Sequence, residues 1–428
     1  MKSRIWFWTH SLLGVTAGLL LFIISWSGTC AVFSREIDWV LTPAVRAEHG
    51  GEISSWEALR QAVERRFPDG TIQSISAPWA PGFAADVLIN TPDQDAIHAY
   101  VHPNTARVQG WTSFFNVQRF FRSFHMELFW GIQRWGYYLV GAVALVLLTS
   151  AITALTFYKR WWRGFFKLEL KHGLRVALSD AHKLLGAWSL IFIVIIAVTG
   201  FWYLIKRLDG VFITLPHGEQ YQQAIVEKTP TGAELSLDAL VVRAHQASPG
   251  LDIRTIYPPR KPSELVRLEG FSGDFLASEN SNQVGLNPAD GHMLFVTRAR
   301  ELPPYFRWVE SVDMLHTGRW GGLATRIAWF IFGLAVASMS LTGAFLHVKR
   351  QARFDHRLPS IAVAIAYLCI ILALGLSVRG AIAEIQSYGP YVGDGQQFPH
   401  VDASIIAFLS IWILTLVAPL AAWARWVR

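Results

Sequence analysis

Six apolar runs, roughly residues 6–33, 129–157, 182–205, 322–348, 361–384 and 404–424, govern what this chain can fold into. Each is near or above the ~20 residues an α-helix needs to cross a hydrocarbon layer. Only 16% of the residues are charged, where soluble proteins carry about a quarter, and 52% are hydrophobic. The expected class is an α-helical integral membrane protein with six transmembrane helices. Its net charge of +7 does not indicate nucleic-acid binding, because the basic residues cluster beside the apolar runs. The connection 158–181 carries Lys159, Arg160, Arg163, Lys167, Lys171 and Arg175, and 349–360 carries Lys349, Arg350, Arg353 and Arg357. The tail closes on Arg425 and Arg428. Short basic connections mark the cytoplasmic side, which places both termini inside and the segments 34–124 and 206–318 outside. Lys2 and Arg4 before the first run resemble a signal peptide, but the run is too long and lacks a small-x-small exit, so an uncleaved anchor is expected. Cys30 and Cys369 both fall in membrane runs, so no disulfide framework is implied, and no Cys-x-x-Cys-His is present for covalent haem.

Two of the runs match each other. Residues 10–28 begin His10-Ser-Leu-Leu-Gly14 and close on Ser27-Gly28; residues 182–200 begin His182-Lys-Leu-Leu-Gly186 and close on Thr199-Gly200. At ~100° per residue, offsets 0, +4, +7, +11, +15 and +18 share one helix face. That face carries His10, Gly14, Ala17, Leu21, Ser25 and Gly28 in one copy, and His182, Gly186, Ser189, Ile193, Ala197 and Gly200 in the other. Small faces of this kind let a membrane helix approach a neighbour or a flat ligand closely.

The segments that follow also match. Each outer one opens with an amphipathic helix, Ser54–Phe67 or Ser236–Ser248, and continues in alternating strands, Thr71–Ala77 and Ala85–Asn90 or Ile253–Tyr257 and Leu265–Phe271. A further strand pair is joined at Pro103-Asn104-Thr105 or at Pro288-Ala289-Asp290-Gly291. Two small α+β domains, each a helix against a short antiparallel sheet, are expected. His125 precedes Gly131 by six residues and His316 precedes Gly322 by six; the following helices exit at Lys159-Arg160 and Lys349-Arg350. The plan is 1–33 (span one), 34–124 (outer domain one), 125–157 (span two), 158–181 (basic loop), 182–205 (span three), 206–318 (outer domain two) and 319–348 (span four). Residues 349–428 add a C-terminal pair of spans. Parallel repeats imply an approximate two-fold axis along the membrane normal.

Such an axis sets His10 against His182 near the inner face, and His125 against His316 near the outer face. Two imidazoles at one depth on opposite walls of a bundle suit the axial positions of a haem iron, so two haem sites with bis-histidine ligation are expected. Interface anchoring is the ordinary role of a single histidine at a helix end; a duplicated set of four argues against it. Imidazole also suits zinc and copper, but two nitrogens per level without carboxylate or thiolate make a poor closed zinc site. His347, at the inner end of span four, is a further candidate for the inner pair. His172 and His356 fall in basic loops, while His49, His98, His102, His217, His245, His292 and His400 lie outside the spans without metal-ligand spacing. Glu127 and Asp180 stand two residues from His125 and His182, close enough to orient a second ring nitrogen; Asp180 also reads as a helix cap. Glu384 reads as an interface charge.

No Gly-rich nucleotide loop follows a strand, and the inner loops are too short to fold a flavin or nicotinamide domain. Electrons must come from quinol or a separate cytoplasmic reductase. The outer segments show no nucleophile–base motif.

The His-x-Leu-Leu-Gly helix ending in Ser/Thr-Gly, the outer helix-plus-strands unit and Leu-His-Thr-Gly-Arg-Trp-Gly-Gly at 315–322 resemble the PepSY-associated transmembrane family over about residues 1–350. That resemblance implies a bacterial inner-membrane, iron-regulated protein with two b-type haems that acts as an oxidoreductase on ferric siderophores at the periplasmic face. It implies His10, His125, His182 and His316 as haem ligands. The last two helices depart from the four-helix form. Arg319, Trp320, Arg122 and Trp130 flank the outer histidines, where they meet either an anionic chelate or lipid headgroups. Two rival readings are a membrane-anchored binding or regulatory module and a siderophore or metal permease.

Overall fold

The computed structural model describes residues 2–427 except 49–50, 131–134, 159, 161, 163–164, 170, 217–233, 262–263, 352–356 and 394. His49, Gly131, Lys159, Arg163, His217, Arg353, His356 and Arg428 of the sequence reading lie outside the described residues. Among those described, five helices are long and apolar enough to cross a membrane alone: Trp135–Phe157, Leu190–Leu208, Arg319–Arg350, Val363–Gln386 and Ala403–Arg425. A sixth candidate is the pair Arg4–Thr16 and Gly18–Ala31, bent by 66°. The chain is a helical membrane protein with five or six candidate spans and an antiparallel sheet among its described residues.

The first helices are α1 (Lys2–Thr16), α2 (Gly18–Ala31) and α3 (Ser34–Leu41). After α4 (Trp56–Arg66) come β1 (Thr71–Ser76), β2 (Ala85–Asn90), β3 (Ile97–Val101) and β4 (Val108–Thr112). Then α5 (Val117–Glu127), α6 (Trp135–Phe157), α7 (Leu174–Trp188) and α8 (Leu190–Leu208) lead to the second outer segment. That segment holds α9 (Leu237–Ala247), β5 (Asp252–Tyr257), β6 (Val266–Phe271), β7 (Asn282–Leu286) and β8 (Met293–Thr297). Helices α10 (Pro304–Thr317), α11 (Gly322–Gln351), α12 (Arg357–Gln386) and α13 (Ala403–Val427) complete the chain, with a short hairpin at 391–396 between the last two.

The two matching runs are broken rather than straight. The breaks fall at Ala17 and Ser189, each seven residues after its histidine, with φ/ψ of −108/−7° and −90/6°. A hydroxyl beside each break bonds the carbonyl four residues back, Thr16 to Leu12 at 2.9 Å and Ser189 to Leu185 at 2.6 Å. Back-bonding of this kind competes with the helical ladder and bends it. The single helix face read from offsets 0 to +18 is therefore cut at +7. His182 sits on α7, and the candidate span Leu190–Leu208 follows the break.

The short sheet expected of each outer segment is continued by its counterpart. All eight longer strands form one antiparallel sheet in the order β4-β3-β2-β1-β5-β6-β7-β8. It is joined where β1 pairs β5, Ile75 opposite Ile256 and Ser76 opposite Thr255. Register shifts recur at matching places, between Ile72 and Ser74 and between Ile253 and Thr255. The two helices cap each other: Asp238 accepts from the Trp56 amide (2.7 Å) and Ser55 hydroxyl (2.6 Å), and Glu57 accepts from the Leu237 amide (3.0 Å). One apolar core runs through both halves, with Leu59, Ile75, Val87, Leu240, Ile256 and Leu268 almost wholly buried.

On β3, His98 stacks on Phe114 (ring centres 5.2 Å apart, 6° between planes) and places Nδ1 2.9 Å from both Asp86 oxygens. Burial lowers the pKa of this imidazole, but the Asp86 charge and hydrogen bond outweigh burial and hold it above the ordinary histidine value. A raised folded-state pKa favours the fold fully below the unfolded value of about 6.5 and is lost as pH climbs through the folded one. Thermal unfolding in detergent at successive pH values should show stability falling above about pH 6.5. That slope should flatten in Asp86→Asn.

Candidate functional site

Four helices bring the predicted histidines together in two pairs. His10 on α1 faces His182 on α7 with ring centres 6.3 Å apart and planes at 81°. His125 on α5 faces His316 on α10 at 6.1 Å and 41°. Two imidazoles bound on opposite sides of one metal, at about 2.0–2.1 Å each, have ring centres about 6 Å apart.

Each ring is tied back through Nδ1 to a different helix. His10 Nδ1 lies 2.9 Å from the Ser150 carbonyl on α6, and His125 Nδ1 lies 3.0 Å from the Ile24 carbonyl on α2. A carbonyl only accepts, so these nitrogens carry the proton. His182 Nδ1 meets Thr342 Oγ1 at 3.4 Å, and His316 Nδ1 meets Thr199 Oγ1 at 2.8 Å. Those hydroxyls already donate to the carbonyls of Ser338 and Ile195, so toward histidine they accept. All four rings therefore hold the proton on Nδ1 and the lone pair on Nε2, which has no hydrogen-bond partner among the described residues. A metal-binding histidine is oriented in this way.

Beside the inner pair lies a cavity of about 600 Å³, within the usual ~300–1,000 Å³ of ligand pockets. Its walls include Leu21, Leu147, Ile193 and Met339, and its small residues Gly14, Gly18, Gly186 and Gly343. A Cβ placed on Gly14 would meet no atom within 4 Å and would point into open space. Apolar walls, glycines on three of the helices around the imidazoles and two unused Nε2 atoms fit a flat macrocycle that brings its own equatorial nitrogens. Among the described residues, no three His, Cys, Asp or Glu side chains gather as a metal cluster, so a closed zinc site has no donor set here.

At the outer pair the approach of α2 is decisive. A Cβ on Gly28 would fall 2.6 Å from His125 Cε1, so only glycine lets the ring lie against this helix. Gly28→Leu should push the imidazole off its position. The expected result is a lower thermal unfolding midpoint in detergent, because the displaced ring gives up its 3.0 Å bond to the Ile24 carbonyl. Helix α5 itself is anchored by Asp38, whose carboxylate accepts from the Val117 and Gln118 amides at 2.8 and 2.9 Å. Burial pushes the Asp38 carboxyl up to about 6, against the pull of those two amides. On the other wall, the Tyr203 ring stands edge-on to His316 at 5.2 Å, and its hydroxyl donates to Asp313 at 2.5 Å.

Other predicted residues stand elsewhere. His347 is buried against Ser11, with Nδ1 2.6 Å from the hydroxyl, and does not line the cavity. Asp180 bonds Lys183 at 2.6 Å rather than His182. Orientation of the rings thus falls to carbonyls and hydroxyls, not to the expected carboxylates. Trp130 donates to the Ala373 carbonyl at 3.1 Å, and Trp320 packs on Trp329 and Phe275, so both are packing residues. Arg122 is exposed, and Arg319 lies 3.9 Å from Glu279. Glu384 is no mere interface charge: it joins Arg119 (3.1 Å), Tyr388 (2.8 Å) and Ser123 in one network. Ser27 and Thr199 were visible only as the matching closes of the repeated run; each leans on an outer histidine.

Comparison with known proteins adds a family. The model of the PepSY-associated TM region matches residues 7–350. The chain belongs to that family. The PepSY-associated region includes all four paired histidines, whereas α12 and α13 lie beyond it. A relative, the uncharacterized protein PA4219 of Pseudomonas aeruginosa, is 22% identical over 247 residues, 53% of this chain. The match spans 62% of that relative's length.

Proposed function

We propose that this protein is a di-haem b electron-transfer protein of the bacterial inner membrane. In this reading it passes electrons from a cytoplasmic reductase or the quinol pool to the periplasmic face, where a ferric siderophore is reduced. The observation that carries the reading is the pairing of four imidazoles into two facing couples, each ring fixed through Nδ1 and offering Nε2. Haem held between imidazoles would supply one-electron exchange rather than substrate binding.

The residues do the rest. Nε2 of His10 and His182 would hold one haem, and Nε2 of His125 and His316 the other. The carbonyls of Ser150 and Ile24 and the hydroxyls of Thr342 and Thr199 keep those rings neutral and aimed. The basic connections lie on the His10/His182 side, which the positive-inside rule assigns to the cytoplasm. Ile24, whose carbonyl holds His125, follows His10 by fourteen residues, at most about 21 Å of helix and less because of the bend. The two couples thus divide a hydrocarbon layer of ~30 Å into shorter steps. Arg122, exposed and one turn before His125, places positive charge where an anionic chelate would meet the outer couple. Hard oxygen donors hold Fe(III) far better than Fe(II), so one-electron reduction releases the iron.

The test is a dithionite-reduced minus oxidised spectrum of the purified chain. Two equivalents of haem with bis-imidazole Soret and α bands are expected. A colourless protein would support a membrane-anchored binding module instead, and uptake of intact chelate without iron reduction would support a permease.

A further inference from the structure

The cavity beside His10 and His182 is apolar along its walls but charged at its rim. Arg175, near the start of α7, and Arg350, at the end of α11, both line it. Lys183 lines it as well, but its Nζ lies 2.6 Å from Asp180 and is neutralised there. Neither Arg175 nor Arg350 has a carboxylate partner among the described residues. Arg350 is held in place: its guanidinium sits 4.4 Å from the centre of the Phe7 ring and donates to Ser11 Oγ at 3.4 Å. Arg175 is exposed and Arg350 half-buried, and two like charges at the rim of one chamber repel each other. An anion between them reverses the sign of that energy. The planar guanidinium fork matches a carboxylate with two parallel hydrogen bonds.

We propose that Arg175 and Arg350 bind the two side-chain carboxylates of the flat cofactor whose iron His10 and His182 ligate. The proposal rests on the haem reading above and adds to it the cofactor's orientation, with its acidic edge toward the basic loops and its apolar edge toward Leu21 and Ile193. The arginines thereby discriminate a dicarboxylate macrocycle from a neutral one of equal size, which the apolar walls alone cannot do.

The test uses the full-length chain carrying His316→Ala, so that only the inner pair binds, purified without cofactor. It is titrated with haemin and with haemin dimethyl ester, and binding is followed by Soret absorbance. Haemin should bind about tenfold or more tighter than the ester, the scale of lost charge-assisted hydrogen bonds. Arg175→Gln and Arg350→Gln should each weaken haemin binding and leave ester binding unchanged. Equal affinity for the two probes overturns the carboxylate assignment and leaves the histidine ligation standing. A chain with no Soret band from either probe, with or without His316→Ala, overturns both. The comparison of probes needs no arginine variant, so it decides the matter even if those variants fold poorly.

Discussion

On the di-haem reading, His10→Ala is expected to purify with about half the haem of the unaltered chain and to lose electron transfer across the bilayer altogether. The loss is confined to one couple because His125 and His316 are held by α2 and α8 and not by His10. His316→Ala should give the mirror result, keeping the inner haem and losing the outer one. The two half-loaded proteins should differ in their access to reductant. A donor on the basic side should still reduce the haem left in His316→Ala, but not the one left in His10→Ala. Haem content by pyridine haemochrome and vesicle-based reduction of an external ferric chelate measure both effects. Full haem in either variant would remove the two-site assignment.

The second large effect is expected at Arg119. Its guanidinium lies 3.1 Å from Glu384 and donates to Tyr388 at 2.8 Å, while Glu384 also takes the Ser123 hydroxyl. Ser123 and Arg119 belong to the helix that carries His125; Glu384 and Tyr388 belong to the end of α12 and its exit. Removing one partner of a fully buried pair costs about 3–5 kcal/mol. With side chains 25% and 15% exposed, Arg119→Ala should cost nearer roughly 2 kcal/mol. Glu384→Gln keeps most hydrogen bonds and should cost less. Thermal unfolding in detergent measures the stability. The spectrum of the outer haem should broaden in Arg119→Ala while the inner one stays sharp, since no part of this network touches His10 or His182.

Much of this architecture was legible in the chain. The equal offsets from His10 to Gly28 and from His182 to Gly200 marked which inner imidazoles would meet, and alternation marked β1, β2, β5 and β6 to within a residue. The helix breaks were hidden, because Ala17 looks like any apolar residue and a serine hydroxyl bonding backward has no pattern of its own. Fusion of the sheets was hidden too. It depends on β1 and β5 meeting edge to edge, some 180 residues apart, and edges carry no signal of their partner. The atoms that orient His10 and His125 are backbone carbonyls, which every residue possesses, so no side-chain identity could announce them. Glu384 misled for a different reason: a lone charge at the end of an apolar run looks exposed until Arg119 is brought to it from 265 residues away.

The cross-bracing of the rings has a consequence for assembly. Each couple takes one imidazole from the first 157 residues and one from residues 182–348, and each ring is steadied by another helix of its own stretch. Neither stretch expressed by itself contains a complete set of axial donors for even one iron. On the di-haem reading, two separately produced halves should recover colour only when mixed.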